Sequence, residues 1–226
     1  MSRKKDIVTL DGPSGVGKST ISRNVAAALG YTYLDTGAMY RAVGLAFNRA
    51  GIDYKDEKGM ERLLEVLTIE LLPAKTSTED VGVVLDGEDV SQFIRTPEAS
   101  MLASRVSAVP AVRSRLTHMQ QQIGMGEKIV AEGRDTGTVV FADAAYKFYL
   151  DGDPKERARR RVKQLQQQGN KADESEILAM IVKRDKNDSE RTIAPLKKAA
   201  DATVIDTTSM TIEEVTSAIL KQMKKG

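Results

Sequence analysis

The residues Gly12-Pro13-Ser14-Gly15-Val16-Gly17-Lys18-Ser19 fit the pattern G-x-x-x-x-G-K-[ST] at every position. Glycines at that spacing let the backbone curl until successive N–H groups face one anion. A helix starting at Lys18 adds its N-terminal dipole. In such a loop Lys18 reaches the β- and γ-phosphates of a nucleoside triphosphate, and the Ser19 hydroxyl is a Mg2+ ligand. The loop with its first helical residues, Gly12 through Ser19 and Thr20, is therefore read as an ATP site. The plain alternative is a glycine turn that happens to precede a helix.

Three charged segments could serve the same phosphates. Asp35-Thr36-Gly37-Ala38-Met39-Tyr40-Arg41 follows a short strand. Thr36 there offers a hydroxyl and a helix N-cap, and Arg41 a phosphate contact. Ala131-Glu132-Gly133-Arg134-Asp135-Thr136-Gly137 follows another strand. In it Glu132 stands where an acid would hold Mg2+ directly or through water, and Arg134 and Asp135 share the same mouth. The third segment combines Arg157, Arg159, Arg160 and Arg161 with Arg184, Asp188 and Arg191. Arg157, Arg160 and Arg161 fall at i, i+3 and i+4, and Arg184, Asp188 and Arg191 at i, i+4 and i+7. A hinged pair of arginine-bearing helices would close over ATP and neutralise transition-state charge, with Lys18, Arg134, Arg157, Arg160 and Arg184 as the catalytic cations. Against each stands an ordinary reading: a solvated arginine beside a cap, an internally paired β–α loop, or a helix face with surface salt bridges.

What is missing agrees with phosphoryl transfer. The 226 residues contain no cysteine and one histidine, His118, which excludes thiol chemistry, Fe–S clusters and nearly every zinc site. His118 is read as structural rather than as a base. Phosphoryl transfer needs positioning and positive charge and little covalent work from the protein. Net charge is only +2, so a nucleic-acid partner is not expected. No run approaches the roughly 18 apolar residues of a membrane span, and the opening Met1-Ser2-Arg3-Lys4-Lys5-Asp6 lacks a secretory h-region. A cytoplasmic protein with no membrane partner is expected, and nothing in the chain demands more than a monomer. No N-K-x-D segment follows a strand as guanine recognition would require, which sets GTPases aside.

The elements that must position these groups alternate. Ile7–Leu10, Tyr31–Leu34, Lys128–Ala131, Tyr146–Leu150 and Thr203–Ile205 read as strands. Lys18–Leu29, about 38–50, about 111–123, 154 to about Gln168, 174 to about 186 and 212–223 read as helices. That alternation predicts an α/β fold, a parallel β-sheet flanked by helices of the P-loop NTPase type. The stretch from about 60 to 109 differs. Arg62–Leu67 is helix-like, while Ile69–Leu72, Val81–Leu85 and Glu88–Val90 read as strands, the last two joined by Asp86-Gly87, which predicts an antiparallel insert.

Taken together, these segments resemble the bacterial cytidylate kinase family of P-loop nucleoside monophosphate kinases along nearly the whole chain. The resemblance is carried by Asp11-Gly12-Pro13-Ser14-Gly15, Asp35 to Arg41, Leu85-Asp86-Gly87-Glu88-Asp89-Val90, Ile94-Arg95-Thr96, Gly133 to Phe141, and Arg184-Asp185, Asp188, Arg191 and Ala194-Pro195-Leu196. It implies ATP and CMP or dCMP as substrates with Mg2+, and one NMP-kinase domain. The core of that domain would be about 1–36, 110–153 and 192–226, the NMP-binding insert about 37–109, and the lid with its flanking helices about 154–191. It also implies that Ser104, Arg113 and Asp135 contact the cytosine. Thr36, Arg41 and Arg134 would hold the acceptor phosphate, and Arg184 and Asp188 the ribose with Arg191 nearby. Arginine donors suit the cytosine O2 and N3 acceptors, and an aspartate accepts from its amino group. Another small-molecule P-loop kinase is the alternative reading.

Overall fold

The fold is described from a computed structural model, which covers residues 5–74, 79–126, 128–167 and 169–224. The opening residues Met1 to Lys4 and the expected helix end at Gln168 lie outside the described residues. The chain forms two compact units, residues 1–34 with 126–226, and residues 35–125.

The first unit is built on a five-stranded sheet. Strand β1 (Lys5–Asp11) carries the apolar run that places it in the middle, between β6 (Ile129–Gly133) and β7 (Ala144–Asp151). Strands β2 (Thr32–Asp35) and β8 (Thr203–Asp206) complete the order β2-β6-β1-β7-β8. Strand β1 runs parallel to β6 and β7, and β8 runs parallel to β7. Register decides where the loops emerge. Leu10 pairs with Glu132, and Asp11 pairs with both Gly133 and Tyr149, so these chains leave the sheet side by side at its carboxyl edge, where open α/β sheets bind ligands. Helices α1 (Lys18–Leu29) and α8 (Ile212–Met223) bury Ile21, Val25, Val215 and Ile219 with Val8, Leu10, Val130 and Leu150 of the strands. Helices α6 (Pro154–Gln167) and α7 (Glu174–Glu190) pack on each other through Ala158, Leu165, Ile177 and Ile181.

The second unit holds α2 (Thr36–Arg49), α3 (Glu57–Val66), α4 (Pro97–Val106) and α5 (Pro110–Ile123) with the antiparallel sheet β3 (Ile69–Leu72), β4 (Gly82–Leu85), β5 (Glu88–Asp89). Asp86 (φ 50°) and Gly87 (φ 84°) both adopt the left-handed region. That is the turn geometry expected from an Asp-Gly pair between two strands.

Several boundaries differ from expectation. Helix α2 starts at Thr36 rather than near Ala38, and its N-cap is Asp35, which accepts from the Ala38 N–H at 2.9 Å. The cap assigned to Thr36 is corrected accordingly: the preceding carboxylate reaches the free amide. Helix α4 was not anticipated. Thr96 caps it by accepting from Ala99 N–H, and Pro97 opens its first turn. A single π-helical turn, Thr136–Val140, follows β6.

Candidate active site

The phosphate loop runs from the end of β1 into α1. Gly12 has φ +152°, and a Cβ there would stand 2.1 Å from the Leu150 carbonyl oxygen. Only glycine lets β1 pass so close to β7 and turn into the loop. Gly12→Ala is expected to lose about 2–3 kcal/mol of stability and measurable ATP binding together, read by urea unfolding and by titration with ATP.

Lys18 is 7% exposed, and its ammonium donates to the Gly12 carbonyl at 2.8 Å and the Pro13 carbonyl at 2.6 Å. Burial holds its pKa well below the usual lysine value. Arg134 and Arg184 push in the same direction, while Glu132 and Asp185 oppose them. The loop is held from behind by Asp185, which sequence reading did not place in the site, together with Arg157, which it did. Asp185 of α7 accepts from the Ser14 N–H at 2.9 Å and from Arg157, and Arg157 donates to the Ser14 and Gly152 carbonyls. The motif quoted above includes Asp185, but its partner Ser14 lies 171 residues away, a distance no local pattern reveals.

Glu132 is the penultimate residue of β6, is buried, and accepts from the Tyr33 hydroxyl. Ser19 is half-buried at the start of α1. A hydroxyl and one carboxylate are oxygen donors of the kind Mg2+ takes alongside phosphate oxygens and water. Among the described residues no group of three or more His, Cys, Asp or Glu could hold a metal ion by itself.

Past Glu132 a charged cluster forms. Arg134 donates to Asp188 at 2.9 Å, Arg191 donates to Asp135 at 3.2 Å, and Arg184 and Arg191 each stand 3.9 Å from Asp188. Burial alone would raise the pKa of Asp188, but Arg134, Arg184 and Arg191 outweigh it and hold the carboxyl below the usual 3.8. Arg134, Asp135, Arg184, Asp188 and Arg191 are therefore brought together as one network in this unit.

The α6 arginines are not brought to one place. Arg157 is buried against the phosphate loop. Arg160 instead donates to the carbonyls of Thr207 (2.7 Å) and Thr208 (2.9 Å), and Arg161 to Gln164.

Thr36, Arg41, Ser104 and Arg113 belong to the second unit. Arg113 is buried, lies over the Tyr40 ring at 5.5 Å and donates to the Ser107 carbonyl, while the Ser107 hydroxyl donates to the Ser104 carbonyl. Ser104 and Arg113 thus meet through Ser107. Arg41 and Arg95 both donate to the buried Asp35 carboxylate. Burial raises the Asp35 pKa, but Arg41, Arg95 and the Ala38 N–H lower it further, so it lies below 3.8. A carboxylate with a depressed native pKa stabilises above its unfolded value and loses that contribution as pH falls below about 4. Urea midpoints of the wild type should therefore fall below about pH 4. Asp35→Asn is expected to be about 2 kcal/mol less stable at neutral pH and to show a shallower fall on acidification. His118 is exposed on α5.

Among the described residues no helix is long and apolar enough to cross a membrane. The family model described as cytidylate kinase matches residues 8–225. The cytidylate kinase of Pelotomaculum thermopropionicum is 44% identical over 220 residues, covering 97% of this chain and 96% of its own. That of Syntrophotalea carbinolica is 48% identical over 215 residues, covering 95% and 90%. The crystal structure of an uncharacterized protein from Eubacterium ventriosum, 14% identical, superposes with a TM-score of 0.51 over 97% of this chain and 98% of its own, a likeness of fold. A strand-loop-helix built to hold phosphates, an arginine–aspartate network at the same sheet edge and a match spanning the chain agree: this protein belongs to the cytidylate kinase family.

Proposed function

We propose that this chain is an ATP-dependent cytidylate kinase that transfers the γ-phosphoryl group of ATP to CMP or dCMP, giving ADP and CDP or dCDP. The observation that carries the reading is the phosphate loop 12–19, with Lys18 buried at its centre in the field of Arg134, Arg184, Glu132 and Asp185, in a chain of this family.

The loop amides and Lys18 bind the ATP phosphates. Lys18 and the arginines Arg134, Arg157, Arg160 and Arg184 answer the negative charge that spreads over the γ-phosphoryl oxygens as it transfers. Arg160 would exchange its present carbonyl contacts for that role. Ser19, with Glu132 directly or through water, would hold Mg2+, which supplies charge neutralisation on the β- and γ-phosphates when bound. For the acceptor, Thr36, Arg41 and Arg134 take the CMP phosphate, and Ser104, Arg113 and Asp135 take the cytosine. Arg184, Asp188 and Arg191 take the ribose side. In this reading the antiparallel insert is the acceptor-binding part and α6 with α7 the lid. The protein works as a cytoplasmic monomer, without nucleic-acid or membrane partners.

The test is ADP release from ATP and Mg2+ with CMP, dCMP, UMP, AMP and GMP offered in turn. Rapid turnover with CMP and dCMP and little with the purine monophosphates is expected. Turnover with none of the five would sink the acceptor assignment and leave a phosphate loop in search of another substrate.

A further inference from the structure

Asp11 is the last residue of β1 and the immediate neighbour of Gly12, yet its side chain serves a different segment. Asp11 is 4% exposed, and its carboxylate takes three hydrogen bonds. One oxygen accepts from the Thr136 N–H at 2.9 Å and the Thr136 hydroxyl at 2.8 Å, and the other from the Gly137 N–H at 2.7 Å. All three donors come from the two residues that follow Asp135. They are the first two residues of the π-helical turn, whose opening amides have no partner within the turn. Above that turn the Asp135 carbonyl accepts from Val139 and Val140 N–H, so its backbone is fixed on both sides. Close approach is required as well: a Cβ on Gly137 would stand 2.8 Å from the Thr9 hydroxyl and 3.3 Å from the Asp11 carboxylate.

A buried carboxylate is a costly way to close a turn. Burial works against its charge, and Asp135 nearby adds repulsion, so that the three donors only partly restore the usual pKa. An apolar residue would pack there without that cost. The carboxylate supplies a fixed acceptor pair, which sets where the chain stands directly after Asp135. We propose that Asp11 is a positioning residue: it pins the Thr136–Gly137 turn to the strand bearing the phosphate loop and thereby fixes the Asp135 carboxylate for the acceptor base. This rests on the reading of Asp135 as a cytosine contact.

The experiment measures KM for CMP and for ATP, with kcat, in Asp11→Asn, Thr136→Val and Thr136→Ser. Asparagine keeps one acceptor but turns an amino group toward the Gly137 N–H. Valine removes only the hydroxyl, and serine restores it. Asp11→Asn is expected to raise KM for CMP about tenfold or more with KM for ATP within about twofold. Thr136→Val should show a weaker effect of the same kind, about threefold, reversed in Thr136→Ser. If Asp11→Asn gives no folded protein, the threonine pair decides by the same constants. Equal rises in both KM values, or a KM for CMP that does not move, overturn the positioning role. Failure of the wild type to phosphorylate CMP would instead overturn the underlying reading, so the two failures are distinguishable.

Discussion

Lys18→Met is expected to lower kcat by about a thousandfold while the protein stays folded. The two halves of that expectation have separate causes. Catalytically, Lys18 is the only lysine of the loop and brings a point charge to the phosphates, and methionine keeps the length of the side chain without the charge. Removing one charge-assisted donor from a site that excludes water costs on the order of 10²–10³ in rate. Structurally, the ammonium is buried, and its pKa is depressed by that burial and by Arg134 and Arg184. A lysine whose native pKa is lowered costs stability when charged, so losing it relieves as much as it removes. The Gly12 and Pro13 carbonyls lose a donor, worth about 1 kcal/mol each. The melting temperature should thus stay within about 8 °C of the wild type. Single-turnover rates with CMP, beside a thermal melt, check both halves. A variant with near-normal kcat would show that the loop lysine does not face the transferred group.

The opposite balance is expected at Asp188. Asp188→Ala should cost about 3–5 kcal/mol and abolish a folded signal in moderate urea. Asp188 is the common partner of Arg134, Arg184 and Arg191, with side-chain exposures of 15%, 18% and 6%. Deleting the carboxylate removes the shared partner of three guanidinium groups that have little water to screen them, with Asp135 still holding Arg191. Its depressed pKa gives the same sign: the ionised form stabilises above about pH 4 and ceases to do so on acidification. Asp188→Asn, which keeps an acceptor for Arg134, should lose less than the alanine variant. Urea unfolding at neutral pH orders the three proteins, and equal stability of the alanine variant and the wild type would refute the network as a structural element.

Legibility in the sequence follows the range of the interactions involved. The phosphate loop could be read because its glycines, lysine and hydroxyl are contiguous and each answers a local geometric need. The β4–β5 turn could be read for the same reason, since Asp86 and Gly87 both take positive φ. The parallel sheet followed from alternation of strand and helix. Helix α4 escaped although Thr96-Pro97-Glu98 is a helix start, because a short run after three strand-like segments does not announce itself as a helix. The turn 136–140 escaped because its β-branched residues favour extended chain and its opening amides are held by the distant Asp11. The cap at α2 was misplaced by one residue because Asp35 and Thr36 are equally apt by type. The back of the phosphate loop, Asp185 with Arg157 and Ser14, joins residues remote in the chain, and no spacing rule reaches it.

The order of the strands has a consequence for how the chain is made. Strand β1 ends at Asp11, but its neighbours β6 and β7 begin at Ile129 and Ala144. The 35–125 unit, by contrast, is one continuous stretch whose described strands β3, β4 and β5 form a sheet of their own. On the ribosome that stretch is complete before β6 has been synthesised, and until then β1 waits with its apolar run unpaired. Long-range strand pairing is slow in any case. A fragment ending near residue 125 should therefore carry a protease-resistant 35–125 segment and a β1 that remains open to cleavage.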